Sequence, residues 1–302
     1  MRTYRYLHLD VFTDVPFGGN QLAVFPEPAG LDSELMQSIT REMAYSESTF
    51  VFPAEDPRTA VRVRIFTPGK ELPMAGHPTV GTAFALAHEG AIPAGQQEVV
   101  FGLGVGPTRV RLRWDGASLA FAEMEQLRPT FGEPVADRAA VAAALNLRTD
   151  DLLDIGTPVQ PVSCGVPFLF VPLVTREAVD RAAVDVAALG RLCGPLGLAE
   201  EVFLFSPERS GDGATVYSRM FAPGLGVTED PATGAASGPL GCYLVRHGLV
   251  PKEDAGRIVS LQGVKMHHPS RVHIAIGVDG DEIVSVRVGG HAVVVGEGTL
   301  RW

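Results

Sequence analysis

The sequence predicts an α+β protein built from two similar halves, each with short strands around one central helix. Three observations carry this. The chain writes one pattern twice, as RIFTPGKELPMAGHPTVGTAFAL over residues 64–86 and RMFAPGLGVTEDPATGAASGPLGCYL over residues 219–244. Both copies open Arg-x-Phe-x-Pro-Gly and run through a polar residue, a Pro, a Thr and a Gly into small residues, so each reads as strand, turn and helix. Short alternating segments surround the helix-like runs without regular strand–helix alternation. The 302 residues suffice for two domains of ordinary size, each with its own core.

Taken in order, residues 5–12 alternate as a first strand, 14–20 form a Pro/Gly turn, and 21–25 form a second strand. Residues 31–43 have helical spacing, with Asp32 or Ser33 as the cap. A polar knot, Ser46-Glu47-Ser48-Thr49, leads into a strand ending near Phe52, and 60–66 is the strand that opens the first copy. Helix-like runs follow at 80–87 and 235–244, with Pro78 and Pro231 suited to a first turn, where a missing N–H costs nothing. Residues 98–121 read as antiparallel strands, and the unpatterned stretch 128–134 marks the region of a domain boundary. We therefore expect domains at 1–125 and 126–283. In the second, 136–145 and 149–153 are predicted helical, 160–173 stranded, and 177–192 one amphipathic helix. Strands are predicted at 201–206, 214–221, 254–266, 271–278, 282–289 and 292–295.

Composition excludes several classes. A net charge of −10 with no basic cluster argues against a nucleic-acid partner. No run approaches the ~20 apolar residues of a membrane span, and the first residues, MRTYRYLHLDVF, carry no signal-peptide core. Three widely spaced cysteines support neither a disulfide framework nor a zinc site. The expectation is a cytoplasmic protein without a zinc site.

Three side chains stand out for chemistry, and each has a plainer role open to it. His77 sits at the first helix entrance and Asp230 at the second, with a Gly four residues after each. A helix start is a ready anion site, and it favours a neutral His and an ionised Asp. His77 is otherwise a turn cap, and Asp230 a helix N-cap. Glu47 lies between Tyr45 and Phe50, where partial burial would raise its pKa toward neutrality and suit a proton shuttle; its plainer role is a solvated loop carboxylate. Glu229 reads as a surface residue and Cys242 as core.

The motifs Asp-Val-Phe-Thr and Pro-Phe-Gly-Gly-Asn within residues 10–20, Ser-Glu-Ser-Thr-Phe at 46–50, Ala-Gly-His-Pro-Thr-Val-Gly at 75–81, Glu-Asp-Pro-Ala-Thr-Gly at 229–234 and the closing Val-Gly-Gly at 288–290 resemble the PhzF-like isomerases of phenazine biosynthesis, which have the diaminopimelate-epimerase-like fold. The match spans essentially the whole chain. The resemblance implies two halves, each a curved, mostly antiparallel sheet or barrel around its helix, with the active site in the cleft between them. It implies that residues 284–302 return to the first half, and that the protein is a homodimer acting on a small carboxylate without a cofactor. It makes Glu47 the acid and base, places His77 and Asp230 beside it, and puts Asn20, Gly76, Thr233, Gly234 and Ala235 at the substrate. Phenazine-pathway members isomerise trans-2,3-dihydro-3-hydroxyanthranilate. Two departures matter. Related epimerases place a thiol at each helix entrance, where this chain has Gly-His-Pro-Thr and Asp-Pro-Ala-Thr, and the usual Ser after the second turn is Ala235. A hydrogen bond to a charged group is worth about 1.5–3 kcal/mol, enough to shift substrate preference. The alternative is a non-catalytic small-molecule-binding protein that keeps the same cleft.

Overall fold

In the computed structural model, which describes residues 2–301, the alternating TYRYLHLDV segment forms β1 (Thr3–Val11), with Leu7, Leu9 and Val11 sharing one buried face. Antiparallel to it runs β2 (Asn20–Phe25). The chain crosses over through α1 (Ser33–Met43), so β3 (Glu47–Pro53) lies parallel to β2. Next, β4 (Val61–Phe66) returns antiparallel and carries the two-residue β5 (Glu71–Leu72). A second crossover, α2 (Gly76–His88), places β6 (Glu98–Leu103) parallel to β4. The hairpin strands β7 (Gly106–Asp115) and β8 (Ser118–Gln126) follow.

The second unit repeats this order. After β9 (Thr130–Phe131) and α3 (Arg138–Ala144), β10 (Gln160–Ser163) pairs antiparallel with β11 (Pro167–Pro172). The helices α4 (Arg176–Arg181) and α5 (Val186–Cys193) cross to β12 (Val202–Ser206), parallel to β11. Then come β13 (Val216–Ala222), antiparallel to β12, with its short partner β14 (Val227–Asp230). The crossover α6 (Gly234–Arg246) leads to β15 (Ile258–Gln262), parallel to β13, and β16 (Ser270–Asp279). The last strands are β17 (Glu282–Gly290) and β18 (Ala292–Arg301), and β18 pairs with β1. One unit holds the chain up to Glu125 and from Val288 onward, and the other holds Gln126–Arg287.

The central helices are not amphipathic because they have no solvent side. Every residue of α2 from Gly76 to Leu86 is buried, and α6 is buried except at Ala235 and Arg246. Glycine lets the strands approach. A Cβ on Gly81 would lie 2.5 Å from Leu22 Cδ2 and 2.7 Å from Val11 Cγ2. In the second unit Phe168, Phe170, Phe203 and Phe205 pack around Leu240 and Tyr243. On the outside of the first sheet α1, capped by Asp32, buries Met36 and Ile39 against Phe25 and Phe50.

The repeated arginine has one role in both copies. Arg64 makes a two-pronged ion pair with Glu71 (2.7 and 2.6 Å) and lies over Phe66. Arg219 does the same with Glu229 (2.8 Å for both contacts) and Phe221. Glu229 is therefore no surface residue; its side chain is only 16% exposed. Arg219 Nη1 also donates to the carbonyls of Val179, Asp180 and Ala182. That satisfies the C-terminal end of α4 and stops it there. Asp185 then caps α5, so the helix expected over 177–192 is two. The strand expected over 254–266 is confined to β15, ended by Gly263 at φ +76°, and the helical turn near 149–153 is a short 3₁₀ turn.

Filling the contact at Gly81 tests the enclosed-helix packing. Gly81→Ala is expected to lose about 1–3 kcal/mol through overpacking, outweighing the gain in helix propensity of up to ~1 kcal/mol. Urea denaturation measures this, and a neutral or stabilised variant would contradict it.

Candidate active site

Glu47 is the first residue of β3, not a loop residue, and lies opposite Leu22 of β2. Asn20 and Leu22 share a face of β2, as Glu47 and Thr49 share a face of β3. The Thr49 hydroxyl meets that of Thr82 on α2 at 3.0 Å, so this face looks onto the central helix. His77 is the second residue of α2 and is 2% exposed. Its Nδ1 lies 3.2 Å from the Asn20 amide nitrogen, and its Nε2 lies 3.4 Å from a Glu47 carboxylate oxygen. The structure thus brings together three of the expected residues, Asn20, Glu47 and His77.

Burial pushes the His77 pKa down to about 3, because a charged ring would lose its hydration. The ring is neutral near pH 7. The Asn20 amide and the Gln21 backbone both engage the ring, and the tautomer decides which nitrogen carries the proton. His77 Nε2 and the Glu47 oxygen face each other at a distance longer than the 2.7–3.2 Å of a hydrogen bond. The Glu47 side chain is 14% exposed, so the carboxylate is set back from solvent yet reachable.

In the second unit Asp230 ends β14 and is buried. Its carboxylate accepts from the Thr233 hydroxyl. Gln262, on β15, completes the knot: its Nε2 donates to the Asp230 carbonyl (2.7 Å) and to Thr233 Oγ1 (3.0 Å), and its Oε1 accepts from the Thr233 N–H (3.1 Å). Sequence reasoning missed Gln262, which lies 29 residues beyond Thr233 with no local motif to mark it.

This geometry corrects two expectations. The N-cap of α6 is Thr233, so Asp230 is not the cap and Pro231 precedes the helix. Nor does Asp230 match His77. Both central helices have 13 residues, begin with Gly, and carry at the fourth position a hydroxyl bonded back to the N-cap carbonyl, Thr79 to Ala75 (2.6 Å) and Ser237 to Thr233 (2.9 Å). In that register His77 corresponds to Ala235. The shared four-residue spacing to a Gly is a coincidence of number.

The capping pattern separates these two helices from the rest. Side chains of Asp32, Asp137, Thr175 and Asp185 cap α1, α3, α4 and α5. Neither α2 nor α6 has a side-chain cap. The leading N–H groups, those of Gly76 and His77 in one unit and of Gly234 and Ala235 in the other, have no intrahelical acceptor and lie at the positive end of the helix dipole. Such an end accepts an anion. The three cysteines are buried and lie at neither entrance. Among the described residues no three His, Cys, Asp or Glu side chains are grouped to hold a metal ion, and no described helix is long and apolar enough to cross a membrane.

Over residues 9–298 the chain matches the family described as phenazine biosynthesis-like protein, PhzC-PhzF. It belongs to that family. The PhzF-like chain is 37% identical over 306 residues to an uncharacterized isomerase of Mesorhizobium japonicum, covering 99% of each chain. It is 35% identical over 295 residues to the trans-2,3-dihydro-3-hydroxyanthranilate isomerase of Pseudomonas aeruginosa, covering 98% of each. A solved PhzF-family phenazine biosynthesis protein of Bacillus anthracis superimposes with a TM-score of 0.87 at 25% identity, covering 100% of both chains. The α+β fold and the isomerase class follow from this membership.

The buried ring has a consequence for acid stability. An unfolded histidine titrates near 6.5 and His77 near 3, so between these values the unfolded chain holds one proton more. Stability therefore falls as pH drops from about 6.5 toward about 3, with a contribution of up to ~1.4 kcal/mol per pH unit. His77→Gln should flatten that dependence by about one proton in urea melts across this window. An unchanged slope would mean that His77 titrates like an exposed histidine.

Proposed function

We propose that this PhzF-like isomerase moves a proton on a small, conjugated, carboxylate-bearing substrate, with Glu47 as both acid and base. The observation that carries the reading is the Glu47 carboxylate beside the neutral, buried His77 at the uncapped start of α2. A carboxylate takes a proton from carbon only if the electrons left behind are stabilised by fixed donors. The first amides of α2 are such donors, joined by the His77 ring in the tautomer that carries its proton on Nε2. After the electrons shift along the conjugated system, the protonated Glu47 returns the proton at another carbon, and the net change is isomerisation without a cofactor.

Each uncapped helix start, Gly76–His77 in one unit and Gly234–Ala235 in the other, offers first-turn amides suited to a substrate carboxylate. Asn20 orients the His77 ring, while Asp230 and Thr233, tied by Gln262, hold the turn before α6. The Pseudomonas relative's name supports a cyclic dihydro-hydroxyanthranilate as the type of substrate. Ala235 supplies only its backbone N–H, where a Ser would add a hydroxyl, and this favours a substrate that needs one donor fewer. The working form in this proposal is a cytoplasmic homodimer.

Proton NMR of trans-2,3-dihydro-3-hydroxyanthranilate in D2O tests the reading. The protein is expected to isomerise it or place deuterium on its ring carbons. Glu47→Gln should lower the rate by roughly 10²–10⁴-fold, the usual share of a general acid–base group, with circular dichroism unchanged. Near-normal turnover by that variant would remove Glu47 from the mechanism. Sedimentation equilibrium is expected to give twice the 32.1 kDa chain mass, and a monomer at micromolar concentration would remove the dimer.

A further inference from the structure

We infer that Gln126 is a positioning residue for the anion-holding turn of α6, acting through the peptide group between Gly234 and Ala235. The inference rests on the carboxylate-binding role proposed above for that turn. Gln126 ends β8 and is the first residue of the second unit. Its Nε2 donates to the Gly234 carbonyl at 2.9 Å. That carbonyl and the Ala235 N–H are two ends of one planar peptide group. A donor on the oxygen fixes the direction of the plane and polarises it, which strengthens the N–H at the far end. The Ala235 N–H is one of the helix-start amides that find no acceptor within the helix, so the effect is delivered where an anion would sit.

Two other features show that the carboxamide is built into its place. The helix makes room for it: a Cβ on Gly238 would lie 1.9 Å from Gln126 Oε1 and 2.8 Å from Val286 Cγ1. Glycine inside a helix is destabilising relative to alanine, and this close approach accounts for it. The turn also lacks an internal tie, because Pro239 has no N–H to offer the Ala235 carbonyl. A turn weakened there gains most from an external donor one residue earlier. The Oε1 end of the carboxamide is buried without a hydrogen-bond partner. Such burial is unfavourable, and packing alone would be better served by an apolar side chain of the same size.

Calorimetric binding of anthranilate and of its neutral amide, 2-aminobenzamide, distinguishes positioning from packing. The intact protein is expected to prefer the carboxylate. Gln126→Met keeps the bulk and removes the donor, and it should weaken anthranilate roughly tenfold while leaving 2-aminobenzamide unchanged. Gly238→Ala displaces the carboxamide without altering it and should reproduce that selective loss, which keeps the test valid if the Met variant folds poorly. In turnover, both variants should raise KM more than they lower kcat. Equal losses for both probes, or no loss, would overturn the inference. Failure of the underlying reading looks different: the unmodified protein would show no preference for the carboxylate, and both proposals would fall together. Preference retained by Gln126→Met while Glu47→Gln is inactive would sink this inference alone.

Discussion

The central helix of each unit is buried around its whole circumference, and the neighbouring elements are arranged to make that possible. A helix so enclosed needs small residues wherever a strand crosses it, which is why Gly81 meets Leu22 and Val11, and why Gly241 meets Ile274 and Ile276. It needs two crossovers per sheet to bring strands around it, and these produce the parallel pairs β2–β3, β4–β6, β11–β12 and β13–β15 among otherwise antiparallel neighbours. Its start also differs from an ordinary helix start. The outer helices close theirs with Asp or Thr, whereas α2 and α6 have no side-chain cap.

Packing and chemistry are therefore the same problem in the first unit. The enclosure that removes water from α2 also removes it from His77, and this keeps the ring neutral. A charged imidazole at 3.4 Å would hold Glu47 as an ion pair. A neutral ring forms no such pair and keeps a single N–H. The Thr49–Thr82 contact and the β2–β3 register fix both groups on rigid elements, the arrangement that proton transfer between positioned groups requires.

Much of this was legible in the sequence where the signal is local. The repeated Arg-x-Phe-x-Pro-Gly marked two strand–turn–helix units, and Asp32 marked the start of α1. Grouping His77 with Glu47 came from family motifs and not from periodicity, since 30 residues separate them along the chain. What was misread depends on distant partners. Nothing within 177–192 announces that Arg219 will collect the carbonyls at 179, 180 and 182. Glu229 looked solvated because its arginine is ten residues away on the neighbouring strand. Asp230 was matched to His77 by counting to a glycine, whereas the helix register, visible only from hydrogen bonds, sets Ala235 there.

The paired arginines hold equivalent places in the two units. Arg64 reaches Ser33 at the start of α1 while holding Glu71, and Arg219 reaches the end of α4 while holding Glu229. In each half one guanidinium fastens the outer crossover to the flap strand that precedes the inner helix. The residues just beyond that fastening differ between the units. At the second position of its inner helix one unit carries an imidazole and the other a methyl group. Two units that share one clasp thus present unlike chemistry within a short stretch downstream of it.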